Sequence, residues 1–375
     1  MLGGFAPKKQ NRLTREMENY QAKTLREELR DGEHCRLRTA ALSIGPESTA
    51  LFTMWPDGEF HLPPAIWDVA TAMHLGIPSL TVAPYVGASI MGGGTVDPHG
   101  ARVTCARLGG DGWRIAHNTT ARVIVSWMKR MGSYTQEEVF RLFAGQPGLE
   151  PATMAHGGSR NVRAGCVPDI VARIPEADGV SMGPETLYEL KHIRAGPTWY
   201  PRSCDRPGAA ADRRARGLDR EYRSKVRALD AEYDTTGSHA RGEPGPAETR
   251  YNQFPTLQGL VIGAFGDFSK DVYTLLDQLA EAGATKYEGD MLCANRQHAK
   301  GVLRYLMRSS WYFTAIREHA WLLITRLRNY CSNAPGFPAR PPGRAAHVPP
   351  RAAEWSNHFN RAGIPFYRSR SYRSA

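Results

Sequence analysis

Two short apolar segments hold the residues best suited to chemistry. VPDIVARI (167–174) places Asp169 directly after Pro168, and ETLYELKHI (185–193) contains Glu189 and Lys191. Both read as strands, and the turn-rich stretch PEADGVSMGP separates them. Strand alternation puts Glu189 and Lys191 on one face and turns Leu190 toward the core. If the two strands pair as a hairpin, Asp169 stands beside Glu189. Two carboxylates at one point repel each other and favour a divalent cation between them. Hard oxygen ligands with partial hydration suit Mg²⁺ or Mn²⁺. The expected metal ligands are Asp169, Glu189 and the backbone carbonyl of Leu190. The expected catalytic residues are Asp169, Glu189 and Lys191, with Lys191 orienting a water and offsetting charge on a pentavalent phosphate. Such a set hydrolyses phosphodiesters. The plainer alternative stays open at this level: Glu189 and Lys191 as a solvated charge pair, and Pro168-Asp169 as a strand-start turn.

Pro168-Asp169 followed 20 residues later by Glu189-Leu190-Lys191 resembles the PD-(D/E)XK nuclease superfamily. The arrangement is similar to the restriction-like endonuclease domain of non-LTR retrotransposons. Those domains often open with a His-Asn helix after a Gly/His/Cys-rich segment, here Asp97-Pro98-His99-Gly100, Cys105 and His117-Asn118. The resemblance covers roughly residues 95–325, and only the PD…ELK core is specific. It implies an α/β fold, a restriction-endonuclease-like α/β sandwich with a small mixed sheet. It also implies metal-dependent DNA endonuclease activity. The related elements carry a Cys/His zinc knuckle, whereas His99 and Cys105 fall short of the four ligands a structural zinc site takes. No Tyr-x-Asp-Asp polymerase signature occurs.

The elements that must position these residues follow from periodicity. Residues 117–133 predict a helix with Asn118 as N-cap and Gly132 as stop, its apolar face running through Val123, Ile124, Trp127, Met128 and Met131. On that pattern His117 is a packed residue beside the cap, the alternative being a residue that faces DNA or the metal. EEVFRLF (137–143) predicts a strand, and Glu137 or Glu138 is a candidate third carboxylate, or else solvated. Residues 213–233 predict an amphipathic helix through Ala215, Leu218, Tyr222, Val226, Leu229 and Tyr233. Its cations Lys225, Arg220 and Arg223 are candidate nucleic-acid contacts. A disordered-looking loop (235–250), a buried strand (257–265), a helix (270–283) and one or two helices (296–330) complete the order. Upstream, 8–30 predicts a helix with a narrow apolar stripe, and PPAIWDVATAMHLGIP (63–78) a short helix ended by Gly76 and stopped by Pro78.

These patterns divide the chain into a helical or irregular region (1–94), a nuclease-like domain (95–331) and a Pro/Arg-rich tail (332–375). The 375 residues are enough for a sizeable core. The net charge is +11, and the tail carries much of it, with seven Arg, no Lys and one acid, Glu354. Its seven prolines argue for disorder, and its interleaved aromatics and arginines, Arg368 and Arg370 among them, suit single-stranded nucleic acid. DNA, single-stranded and branched forms included, is the expected partner. No apolar run reaches membrane-span length, the N-terminus lacks a secretory core, and six scattered cysteines suit a reducing compartment such as the nucleus. Two non-enzymatic readings stand beside the nuclease: a binding protein that keeps the fold, and a scaffold with a basic tail. If the tail contacts phosphates, deleting 332–375 leaves the core folded and flattens the salt dependence of DNA affinity. Each lost contact lowers the slope by roughly 0.7–0.9. Affinity titrations at several salt concentrations check this, and an unchanged slope removes the tail from the interface.

Overall fold

The computed structural model describes residues 61–332 except 110, 140–141, 144–165, 197, 202–205, 234–242 and 292, together with 16, 17, 20 and 50–53. The helix expected over 8–30 lies outside the described residues apart from Glu16, Met17 and Tyr20, which are helical. The tail beyond Ser332 lies outside them too.

In chain order the elements are α1 (Ala50–Thr53), α2 (Pro64–Leu75), β1 (Ser89–Ile90), α3 (Ala101–Cys105) and α4 (Gly112–Arg130). Then come β2 (Tyr134–Glu137), β3 (Ile170–Arg173), β4 (Thr186–His192), α5 (Ala209–Tyr233) and α6 (Pro246–Tyr251). The last are β5 (Gln258–Ile262), α7 (Lys270–Lys286), α8 (Arg296–Tyr330) and β6 (Cys331–Ser332). Strands β2-β3-β4-β5 form a mixed four-stranded sheet, antiparallel up to β4 and parallel between β4 and β5. The connection from β4 to β5 runs through α5 and α6, as a parallel pairing requires. The protein is thus mixed α/β with a small mixed sheet.

Period-two alternation sorts the sheet into two faces. Ile170, Ala172, Tyr188, Leu190, Leu260 and Ile262 join a core with α4, α7 and α8. Val171, Leu187 and Val261 join a second core with Leu218, Tyr222, Val226 and Leu229 of α5 and Tyr251 of α6. The first core also takes in Leu62, Ile66, Val69 and Met73, so one hydrophobic cluster spans the boundary expected near residue 94. The single 35-residue helix α8 is its spine, with Leu303, Met307, Trp311 and Ile316 fully buried.

Three expected elements differ. The helix predicted from Asn118 begins at Gly112, behind Asp111, and Gly132 at φ +92° ends it. The strand predicted over 137–143 lies at Tyr134–Glu137, because Leu142 and Phe143 turn away into the second core. Part of the predicted loop 235–250 is α6. The buried carboxylate of Asp230 accepts from the Ala247 and Glu248 amides at 2.7 and 2.9 Å, capping its first turn.

One glycine sets how closely α5 approaches the sheet. A Cβ on Gly259 would lie 2.9 Å from the Ala215 backbone and from Leu218. Gly259 is the β5 partner of Glu189, so this contact holds α5 against the strand next to the one that bears Glu189.

On the opposite face β4 ends in His192, whose ring meets His319 of α8 edge-on at 5.2 Å. Neither ring has a hydrogen-bond partner among the described residues. Burial holds His319 down at about 4, against 6.5 when exposed. Between those values the unfolded chain binds a proton that the folded chain rejects, so stability falls as pH drops. From pH 7 to pH 5 the loss from His319 is about 2 kcal/mol. Urea unfolding at both pH values checks this: His319→Leu should show a shallower acid loss than wild type. An equal loss assigns the acid sensitivity elsewhere.

Candidate active site

The pairing of Ile170 with Tyr188 and Val171 with Leu187, continued by one residue, sets Asp169 opposite Glu189. Both side chains share the α5 face with Val171 and Leu187, and Lys191 follows two residues on. The Asp169 carboxylate accepts from the Leu190 amide at 2.7 Å, which fixes it across the strand pair. Lys191 Nζ donates to Glu189 Oε1 and lies 3.9 Å from Asp169 Oδ2. The three residues read from spacing therefore meet on one face.

Glu189 is buried, and its second oxygen, Oε2, has no hydrogen-bond partner among the described residues. Burial, then the charge of Asp169, raises its pKa above the ordinary carboxylate value, while Lys191 and Lys225 oppose the shift. Lys225 is exposed on α5 and acts on Glu189 by charge.

His117 completes the group from α4. Because that helix starts at Gly112, His117 sits on its second turn, not beside its cap. Its Nε2 lies 3.1 Å from the Leu190 carbonyl and 3.2 Å from Asp169 Oδ2, and its Nδ1 lies 3.0 Å from Asn118 Oδ1. Burial lowers its pKa, but the hydrogen bond and charge of Asp169 outweigh this, and the net shift is upward. With both ring nitrogens facing oxygens, the imidazolium is favoured. Its Asn neighbour marked a cap in the sequence; only the earlier helix start reveals the site role.

The other candidates divide. Arg220 is exposed on α5, available to phosphate. Arg223 is committed to structure: it pairs with Asp219 at 2.8 Å, bonds Asn252 and stacks on Tyr251. Arg214 grips Glu221 with two nitrogens, and Glu221 feels the charges of Lys225 and Lys191. That acid belongs to the rim of the site and was not singled out by spacing. Glu137 faces Lys129 at 3.4 Å on the surface, and Glu138 donates its amide to the Asp169 carbonyl. Neither adds a carboxylate to the pair. Arg368 and Arg370 lie outside the described residues.

The donor set fits a hard cation. It offers two converging carboxylates, one with a buried oxygen that lacks a partner, and the Leu190 carbonyl beside them. Among the described residues no three His, Cys, Asp or Glu side chains are arranged to hold a metal, so a cation here would keep several waters, as Mg²⁺ does.

No family model, curated protein or solved structure matches the chain. The functional reading therefore rests on these residues. Among the described residues, no helix is long and apolar enough to cross a membrane.

A site assembled against its own repulsion costs stability. Glu189→Gln keeps the shape and removes the charge that burial and Asp169 disfavour, so the variant should be more stable at pH 7. Thermal melting checks this; a lower melting temperature would mean that the ion pair with Lys191 outweighs the burial of Glu189.

Proposed function

We propose that this protein is a metal-dependent DNA endonuclease of the PD-(D/E)XK kind, using Mg²⁺ or Mn²⁺ and acting in a reducing, nuclear setting. The observation that carries the reading is the meeting of Asp169, Glu189 and Lys191 on one sheet face, beside a helix with exposed cations. The PD…ELK resemblance supports it.

Asp169, Glu189 and the Leu190 carbonyl would hold the cation. When bound, it supplies Lewis acidity to the phosphate and lowers the pKa of water. Lys191 orients the attacking water and offsets charge gathering on the phosphate. His117 holds Asp169 and the Leu190 carbonyl in place. Lys225 and Arg220 receive flanking phosphates.

A second reading, a binding protein that keeps the fold without cleaving, has one observation in its favour. The His117 ring already satisfies Asp169 and the Leu190 carbonyl without any cation.

A plasmid-nicking assay with Mg²⁺ or Mn²⁺ separates the two. Asp169→Ala and Glu189→Ala should abolish cleavage with DNA affinity nearly intact, since each removes a ligand and also a repulsion toward phosphate. Lys191→Ala should slow cleavage by about 10²–10³-fold, the loss of roughly 3–4 kcal/mol of transition-state help. Wild-type protein that binds DNA but leaves duplex, single-stranded and branched substrates uncut selects the binding reading.

A further inference from the structure

We propose that Tyr222 is the positioning residue of Glu189: its phenol donates, through one ordered water, to the outer oxygen of the carboxylate and holds that oxygen toward the cation. The inference rests on the metal-dependent reading above.

Tyr222 lies on the face of α5 that meets the sheet, among Leu187, Val226 and Val261, and is 3% exposed. Its hydroxyl is buried and has no hydrogen-bond partner among the described residues. Leaving such a group unsatisfied costs about 1–3 kcal/mol, and Phe would fill the same space without that cost. Glu189 projects from β4 onto the same face, alternating with Leu187, and its Oε2 is buried and unsatisfied as well. A donor lacking an acceptor and an acceptor lacking a donor thus lie on the same side of the sheet, close enough for the charge of Glu189 to act on the phenol. They are not in direct contact, and a single water between them satisfies both. Burial, with the charges of Cys166, Glu189 and Asp169 behind it, keeps the phenol protonated and therefore a donor.

The ring is held for the task. It stacks on Tyr251 at 5.4 Å and 20° between planes. The Tyr251 hydroxyl donates to Asp219 at 2.8 Å, and Arg223 clamps Asp219 from its other side. Gly259, lacking a side chain, lets α5 pack close to the sheet through Ala215 and Leu218.

The test is Mn²⁺ binding by isothermal titration calorimetry on the full chain without nucleic acid, comparing wild type, Tyr222→Phe and Glu189→Gln. Thermal melting and DNA affinity in chelator are measured alongside. Wild type should bind Mn²⁺ and Glu189→Gln should lose it. Tyr222→Phe should bind about tenfold more weakly, the usual cost of removing an outer-shell partner, while melting at or above the wild-type temperature and binding DNA unchanged. Equal Mn²⁺ affinity in wild type and Tyr222→Phe overturns the inference and leaves the nuclease reading standing. So does a variant that melts several degrees lower, because the hydroxyl would then serve the fold. Wild type that binds no Mn²⁺ overturns the metal-dependent reading itself.

Discussion

Two carboxylates forced opposite one another across a strand pair are the constraint around which this protein is arranged. The register of β3 on β4 leaves Asp169 and Glu189 no choice of neighbour. Water would screen their repulsion, but Glu189 is buried. Positive charge and N–H donors gather in response: Lys191 beside both, His117 from α4, the Leu190 amide on Asp169, and Lys225 acting at longer range. Even so, Glu189 keeps an unmatched oxygen and a raised pKa. Removing one partner from such a group leaves uncompensated charge behind, which is why the assembly behaves as a unit.

The two hydrophobic cores make that arrangement affordable. One face of the sheet is sealed by α4, α7 and α8, and the long α8 anchors nearly every other helix of that layer. The other face carries the site and is only partly sealed, by α5 and α6. Gly259 sits where the two requirements meet. Any side chain there would push α5 outward, opening the second core and withdrawing Tyr222 and Lys225 from Glu189 together. A local packing rule thereby becomes a condition on the chemistry.

Strand alternation and turn composition made the sheet legible, and with it the face shared by Asp169, Glu189 and Lys191. Legibility stopped where local patterns compete. Asn118 is a good cap residue, yet the helix begins six residues earlier because Asp111 and Gly112 can start it and the apolar face tolerates the extension. That shift carries His117 onto the site, a placement invisible without the helix phase. EEVFRLF is apolar enough for a strand, but its phenylalanine and leucine serve the second core from a turn. The long stretch 296–330 holds no residue that breaks it, and tertiary packing makes it one helix. Tyr222 hid in plain view as one member of an apolar stripe, since periodicity reports which face a residue takes and not whether its hydroxyl finds a partner.

Charge counts mislead in the same way. Arg213, Arg214, Arg216, Arg220, Arg223 and Arg227 give α5 the composition of a phosphate-binding helix. In the fold Arg214, Arg223 and Arg227 are held by Glu221, Asp219 and Glu248, and Arg213 donates to the Thr198 and Trp199 carbonyls. Arg216, Arg220 and Lys225 have no such partner among the described residues. Three phosphate contacts correspond to a salt slope of about −2.7 on duplex DNA, less than half of the roughly −6.3 that seven cations would suggest at face value. The arginines spent on carboxylates are not lost to function, however. Arg223 fixes Asp219, Asp219 fixes Tyr251, and Tyr251 stacks on the ring of Tyr222. A helix that looks uniformly basic in composition is therefore divided by geometry, with some cations facing a polyanion and others bracing the carboxylate that would hold the metal.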